Sequence, residues 1–151
     1  MRYFFFYGTL CDSDIRQLVL GYRPGPRQIR PARLAGFRRK QARARSYPVL
    51  IRSPGGRVEG LLFDARPADA ARLAAYEGPE YRACQLPVHA PVRGASAASR
   101  RAWVFLPAFG LDGSALPAGH ADWQPRRWLQ QEKAAFLHSL QTQGSSPCER
   151  P

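Results

Sequence analysis

The order of apolar runs and breaks along the chain predicts a mixed α+β domain. Three observations carry this reading. The chain opens on a continuous aromatic run at residues 2–7 (RYFFFY), which suits a buried strand better than a helix. Several β-rich runs in its middle are joined by short Pro/Gly turns, as in a β-meander. Two stretches, 67–76 and 125–140, instead space their apolar residues for helices. The resulting order, β-α-β-β-β-α-β-β-α, is that of an α+β domain rather than of strictly alternating strands and helices.

Each element has its own signals. Gly8-Thr9 ends the first strand. Asp12 or Ser13 then caps a short helix whose Ile15, Leu18 and Val19 fall at i, i+3 and i+4, with Gly21 as its stop. Residues 23–31 (RPGPRQIRP) read as a loop. Residues 32–42 are strand-like around Leu34 and Phe37. Residues 47–52 (YPVLIR) form the next strand, and Pro54-Gly55-Gly56 turns the chain into 58–65 (VEGLLFDA). Pro67 suits the first turn of a helix running to Tyr76, which Gly78-Pro79 terminates. Residues 80–93 form a long strand, which Pro87 and Pro91 push toward a sheet edge. Residues 101–106 (RAWVFL) are a further strand, and 107–124 a long loop. A closing helix over 125–140 carries Trp128, Leu129, Phe136, Leu137 and Leu140 as its apolar stripe. Residues 1–140 thus make one domain, and the tail 141–151 lacks periodicity and is expected to be disordered.

Composition narrows the class of protein. The 151 residues, 44% apolar and 11% aromatic, suffice for one domain with a real core. No run approaches the ~18 apolar residues of a membrane span, so no membrane partner is expected. Residues 3–6 are too short for the apolar core of a signal peptide. Cys11, Cys84 and Cys148 are odd in number and in no metal-ligand spacing, so they are expected to be reduced thiols of a cytoplasmic protein.

The net charge of +12 is local. Between Asp14 and Glu59 there is no acid, and residues 15–58 carry twelve bases; elsewhere eleven bases face eleven acids. Such a segment can bind the phosphates of a nucleic acid or gather small anions. Yet 21 of the 23 bases are Arg in an Ala/Pro/Gly-rich chain, a pattern that coding bias spread over solvated faces also produces. A nucleic-acid partner is therefore not expected.

Two places can carry chemistry. Tyr7-Gly8-Thr9-Leu10 sits at a strand-to-helix junction, where successive backbone N–H groups lack intrachain partners and can form an anion-binding concavity. An ordinary turn after a core strand has the same four-residue look. Glu77, in Tyr76-Glu77-Gly78-Pro79-Glu80-Tyr81-Arg82, falls at the C-terminal end of the second helix. There the helix dipole disfavours its ionised form, and shielding by Tyr76 and Tyr81 would raise its pKa further. A carboxyl group so tuned suits general acid/base catalysis near neutral pH. The alternative is a solvated helix-end acid paired with Arg72 or Arg82. Cys11, near a helix N-terminus, is expected to have a lowered pKa but has no histidine nearby in sequence. His89, His120 and His138 have no partners at metal spacing.

Together these pieces resemble the γ-glutamylcyclotransferase family in its AIG2-like branch. The resemblance rests on YFFFYGTL, GF at 36–37, YPVLI at 47–51, VEGLLFD at 58–64 and LAAYEGPEYR at 73–82, in order, with AWVF at 102–105 and the Trp-rich closing helix. It spans residues 2 to 140. It implies a small mixed β-barrel with flanking helices that releases 5-oxoproline from γ-glutamyl amino acids, peptides or amines without metal or organic cofactor. It further implies that Tyr7, Gly8, Thr9 and Leu10 bind the glutamyl end, that Glu77 is the catalytic acid/base and that Tyr81 helps position the substrate. Ala83 stands where the family often has a second Arg. The rival expectation is a non-catalytic barrel that binds RNA or another polyanion through residues 16–57. Oligomeric state is left open.

Overall fold

The aromatic run folds as β1 (Tyr3–Phe6), and its two faces enter two different cores. Phe5, followed by Tyr7, joins Leu34, Leu50, Leu62, Val88 and Val104 in one cluster; Phe4 and Phe6 join Ile15, Leu20, Leu73, Phe105 and Trp128 in another. A strand buried on both faces needs apolar side chains at every position, which is why the run does not alternate. The computed structural model describes residues 2–43, 45–92, 95–108 and 118–143.

The remaining strands are β2 (Ile29–Ala42), β3 (Pro48–Asp64), β4 (Tyr81–Val92), β5 (Ala95–Pro107) and β6 (Ala118–Asp122). The sheet order β3-β1-β5-β4-β2 closes on itself because β2 also pairs with β3, giving a five-stranded mixed barrel with β6 attached to β2. Among the described residues only β1 and β5 run parallel, through Phe4 and Trp103. The first cluster is the barrel interior, and the second lies between the barrel and its helices α1 (Ser13–Leu20), α2 (Asp69–Glu77), α3 (Pro125–Gln131) and α4 (Lys133–Gln143).

Several local expectations hold. Asp12 caps α1 by accepting from the N–H groups of Asp14 and Ile15 at 2.9 and 3.2 Å, and Gly21 ends it in the left-handed conformation. Gly78 ends α2 at φ 71 and ψ −173, a conformation open to glycine alone. α2 starts two residues later than Pro67.

Other expectations are corrected. Pro54-Gly55-Gly56 does not reverse the chain. Both flanking runs belong to β3 and pair antiparallel with β2, as Phe37 with Arg52 and Ala35 with Arg57. Residues 53–56 are therefore extra residues bulged out of the ladder, which bends β3 round the barrel. β4 is not an edge strand: it pairs with β5 along its length and with β2 at Arg33–His89. That second ladder is so sparse that few N–H donors are needed on its side, which makes room for Pro87 and Pro91. β2 takes in Ile29–Pro31 from the expected loop, and β6 lies inside the expected 107–124 loop. The closing helix is broken at Glu132 (φ −124), so α3 and α4 are separate. Leu18 and Leu129, counted among apolar stripes, are about half exposed at 46% and 47%. α4 carries helix through Gln143, and the rest of the expected tail lies outside the described residues.

Candidate active site

All six residues singled out from the sequence line one cavity of about 470 Å³, at the end of the barrel where β1 runs out and α2 stops. Their contributions differ. Thr9–Cys11 form a single 3-10 turn closed by the Cys11 N–H on the Gly8 carbonyl at 2.9 Å, so the N–H groups of Thr9 and Leu10 have no partner within the turn. Gly8 is held close to β3: a Cβ there would meet the Pro48 ring at 2.9 Å. Tyr7 is buried, its hydroxyl donating to the Phe105 carbonyl at 2.6 Å while its own carbonyl accepts from Arg39 at 2.7 Å. It fixes the turn to the barrel rather than offering a free polar group. The Leu10 side chain packs in the second core, and its carbonyl accepts from Arg16 at 2.9 Å.

Glu77 closes the opposite side. It is the last residue of α2, and burial pushes its carboxyl up to about 8. Among the described residues no ion pair reaches it. Arg72 instead donates to the Leu20 carbonyl at 2.6 Å and lies 3.7 Å from Asp69, so the solvated pairing considered for Glu77 is not formed with it. The charge of Glu77 in turn raises the pKa of Tyr7, Tyr76 and Tyr81, after their own burial.

Hydrogen bonds set the distance between turn and acid. Tyr76 and Thr9 share a 2.6 Å hydroxyl–hydroxyl bond, which ties the last turn of α2 to the turn after β1. Tyr81 donates to the Pro48 carbonyl at 2.9 Å, and its ring lies 6.0 Å from that of Tyr47. Glu80 receives Arg45 at 3.0 Å and the Tyr47 hydroxyl at 2.5 Å. Burial and the Glu80 carboxylate hold Tyr47 up at about 12.

Sequence reasoning missed Arg45, Tyr47, Pro48 and Glu80 as cavity residues. The last three do stand inside the quoted motifs, but their pairing spans more than thirty positions. It also read Phe136 and Leu140 only as core, whereas both line the cavity from α4.

The expectation for Cys11 is overturned. Its thiol is half-buried and donates to the Phe6 carbonyl at 3.3 Å, and desolvation raises its pKa to about 11 despite Arg39 and Arg16 nearby. Burial outweighs the helix N-terminus. Among the described residues no group of three or more His, Cys, Asp or Glu lies close enough to hold a metal ion, and no helix is long and apolar enough to cross a membrane. Much of the basic segment is engaged within the fold: Arg16 bonds the Leu10 and Cys11 carbonyls, Arg39 lies 4.9 Å over the Trp123 ring, and Lys40 pairs with Asp122 at 2.7 Å.

Comparison with known proteins places this geometry in context. The family described as gamma-glutamyl cyclotransferase, AIG2-like, matches residues 4–125. AIG2-like protein A of Arabidopsis thaliana is 35% identical over 78 residues, which are 51% of this chain and 46% of that protein's own length. The chain therefore spans about half the length of this curated relative. A solution structure of another Arabidopsis thaliana protein superposes with a TM-score of 0.63 at 16% identity, covering 99% of this chain and 94% of that one. A gamma-glutamyl cyclotransferase structure superposes with a TM-score of 0.62 at 13% identity, covering 99% and 90%. At these identities the two structures share the barrel fold with this chain.

Proposed function

The chain belongs to the gamma-glutamyl cyclotransferase, AIG2-like, family, and from that premise we propose that it is a cofactor-free enzyme releasing 5-oxoproline from γ-glutamyl amino acids, peptides or amines. The observation that carries this reading is the Glu77 carboxyl, raised by burial to about 8 and reached by no ion pair among the described residues, in one cavity with the turn at Gly8–Leu10.

The chemistry asks little more. A γ-glutamyl group carries its own nucleophile, the α-amine, and a five-membered ring closes when that nitrogen attacks the γ-carbonyl. Holding the substrate folded supplies much of the rate, because the reaction is already intramolecular. The N–H groups of Thr9 and Leu10 are the donors available for a carboxylate or for the oxyanion of the tetrahedral intermediate. The Glu77 carboxylate takes a proton from the attacking ammonium. It returns that proton to the departing nitrogen as the C–N bond breaks. The second proton shed by the ring nitrogen follows the same route, so that the lactam keeps one N–H and the leaving group departs as an ammonium. A group titrating near 8 can do both at neutral pH, since neither transfer is far uphill. Tyr81, pinned to Pro48, shapes the wall beside the acid.

The partner under this reading is a small γ-glutamyl compound. Incubating the protein with a panel of γ-glutamyl dipeptides and amines, and quantifying 5-oxoproline, tests it. Release from at least one member is expected; no product across the panel overturns it.

A further inference from the structure

The cavity has a second wall that the glutamyl chemistry does not use. Phe136, Ser139, Leu140 and Gln143 of α4 all line it, at spacings of i, i+3, i+4 and i+7, which is one face of a helix. Lys133 anchors the start of that helix by reaching both Asp12 and Asp14 at 2.8 Å, and Phe136 packs edge-on against Trp128 with ring centroids 5.7 Å apart. These residues lie beyond 125, where the match to the family ends.

Volume shows that this wall has something to hold. Even at the ~30 Å³ share of a liquid water for each of its nine or so non-hydrogen atoms, a glutamyl group fills no more than about 270 Å³. The cavity offers about 470 Å³. Charge narrows what the remainder accepts. None of the four α4 residues is ionisable, and Arg45, which lines the same cavity, is already paired with Glu80 at 3.0 Å.

We infer that the α4 face Phe136–Ser139–Leu140–Gln143 is the leaving-group subsite, and that it selects γ-glutamyl compounds whose departing amine carries an apolar side chain. This rests on the cyclotransferase reading for the identity of the glutamyl end. A glutamyl group bound between the Gly8–Leu10 turn and Glu77 leaves the departing nitrogen's substituent to the rest of the cavity. A branched aliphatic chain there is desolvated against Phe136 and Leu140, whereas a bare glycine leaves them wet.

Comparing γ-glutamyl-leucine with γ-glutamyl-glycine tests this, because the two share every charge and differ by one apolar side chain. The leucine compound is expected to have the higher kcat/KM by at least ~10-fold, as apolar pockets discriminate by this order for one or more methylenes. In the Phe136→Ala/Leu140→Ala double variant the ratio should fall to within about threefold, with turnover of the glycine compound retained as the control for folding. Ser139→Trp, which fills the space without removing core atoms, should cost the leucine compound ~10-fold and the glycine compound less than about twofold. It decides the matter if the double variant does not fold. A ratio unchanged in these variants overturns the assignment of α4 while leaving the cyclotransferase reading intact. If the wild-type protein releases 5-oxoproline from neither compound and from no other member of the γ-glutamyl panel, that reading fails instead. Calorimetric binding of the same two compounds then judges the subsite: a leucine preference that Ser139→Trp removes upholds it, and equal or unmeasurable binding overturns it.

Discussion

Tyr76 and Thr9 lock the acid and the amide turn into one unit: their hydroxyls lie 2.6 Å apart, one on the residue before Glu77 and the other inside the turn. Tyr76→Phe breaks this link with little change of shape. The expected cost in stability is about 1 kcal/mol, the net worth of a partly buried hydrogen bond, read as a lower urea midpoint. If the bond also positions the turn, kcat for 5-oxoproline release falls more than KM rises. A variant with unchanged kcat would show that the turn holds its place without it.

The raised pKa of Glu77 makes stability depend on pH with a definite sign. Its unfolded value is near 4.5 and its folded value about 8, so between the two the folded chain holds a proton that the unfolded chain has released. The stabilising protonated form is fully present below 4.5, and its advantage is lost as pH rises through 8. Stability should fall across that window by up to ~1.4 kcal/mol per pH unit from this group, and Glu77→Gln should flatten the slope. Chemical denaturation of both proteins from pH 5 to 9 measures the difference.

Gly60 is set by contact rather than by turn geometry. A Cβ there would lie 2.1 Å from the Phe6 carbonyl and 2.7 Å from the Phe5 ring, where β3 crosses β1. Gly60→Ala must push these strands apart and is expected to cost ~3 kcal/mol or more by overpacking, with a matching drop in melting temperature.

Cys11 is expected to be chemically quiet. With its thiol raised to about 11, alkylation at pH 7.5 should be slow against a free thiol. Cys11→Ser should leave 5-oxoproline release intact. Loss of activity in that variant would revive the thiol as a participant.

How much of this was legible in the sequence depended on how local each signal was. The caps at Asp12 and Gly21, the stop at Gly78, the two-faced strand at Tyr3–Phe6 and the position of Glu77 all follow from neighbouring residues. The bulge at 53–56 does not, because Pro54-Gly55-Gly56 has the composition of a hairpin turn; only the pairing of both flanks with β2 distinguishes the two. β6 (AGHAD) has no β-branched residue and only small apolar ones, and is held through pairings such as Lys40–Asp122. Cys11 was misjudged because a helix N-terminus is visible in the sequence, whereas the burial that outweighs it is a tertiary fact. Arg45 and Glu80 meet across 35 positions, beyond the reach of any motif.

In the proposed reaction Glu77 moves the proton. The most direct measurement is the rate of 5-oxoproline release by Glu77→Gln beside the wild-type protein, on the best substrate found and at saturating concentration. A loss of ~10²–10⁴-fold in kcat is expected, with substrate binding preserved and a rising limb near pH 8 present only in the wild type. A Glu77→Gln protein that keeps wild-type kcat would contradict this role.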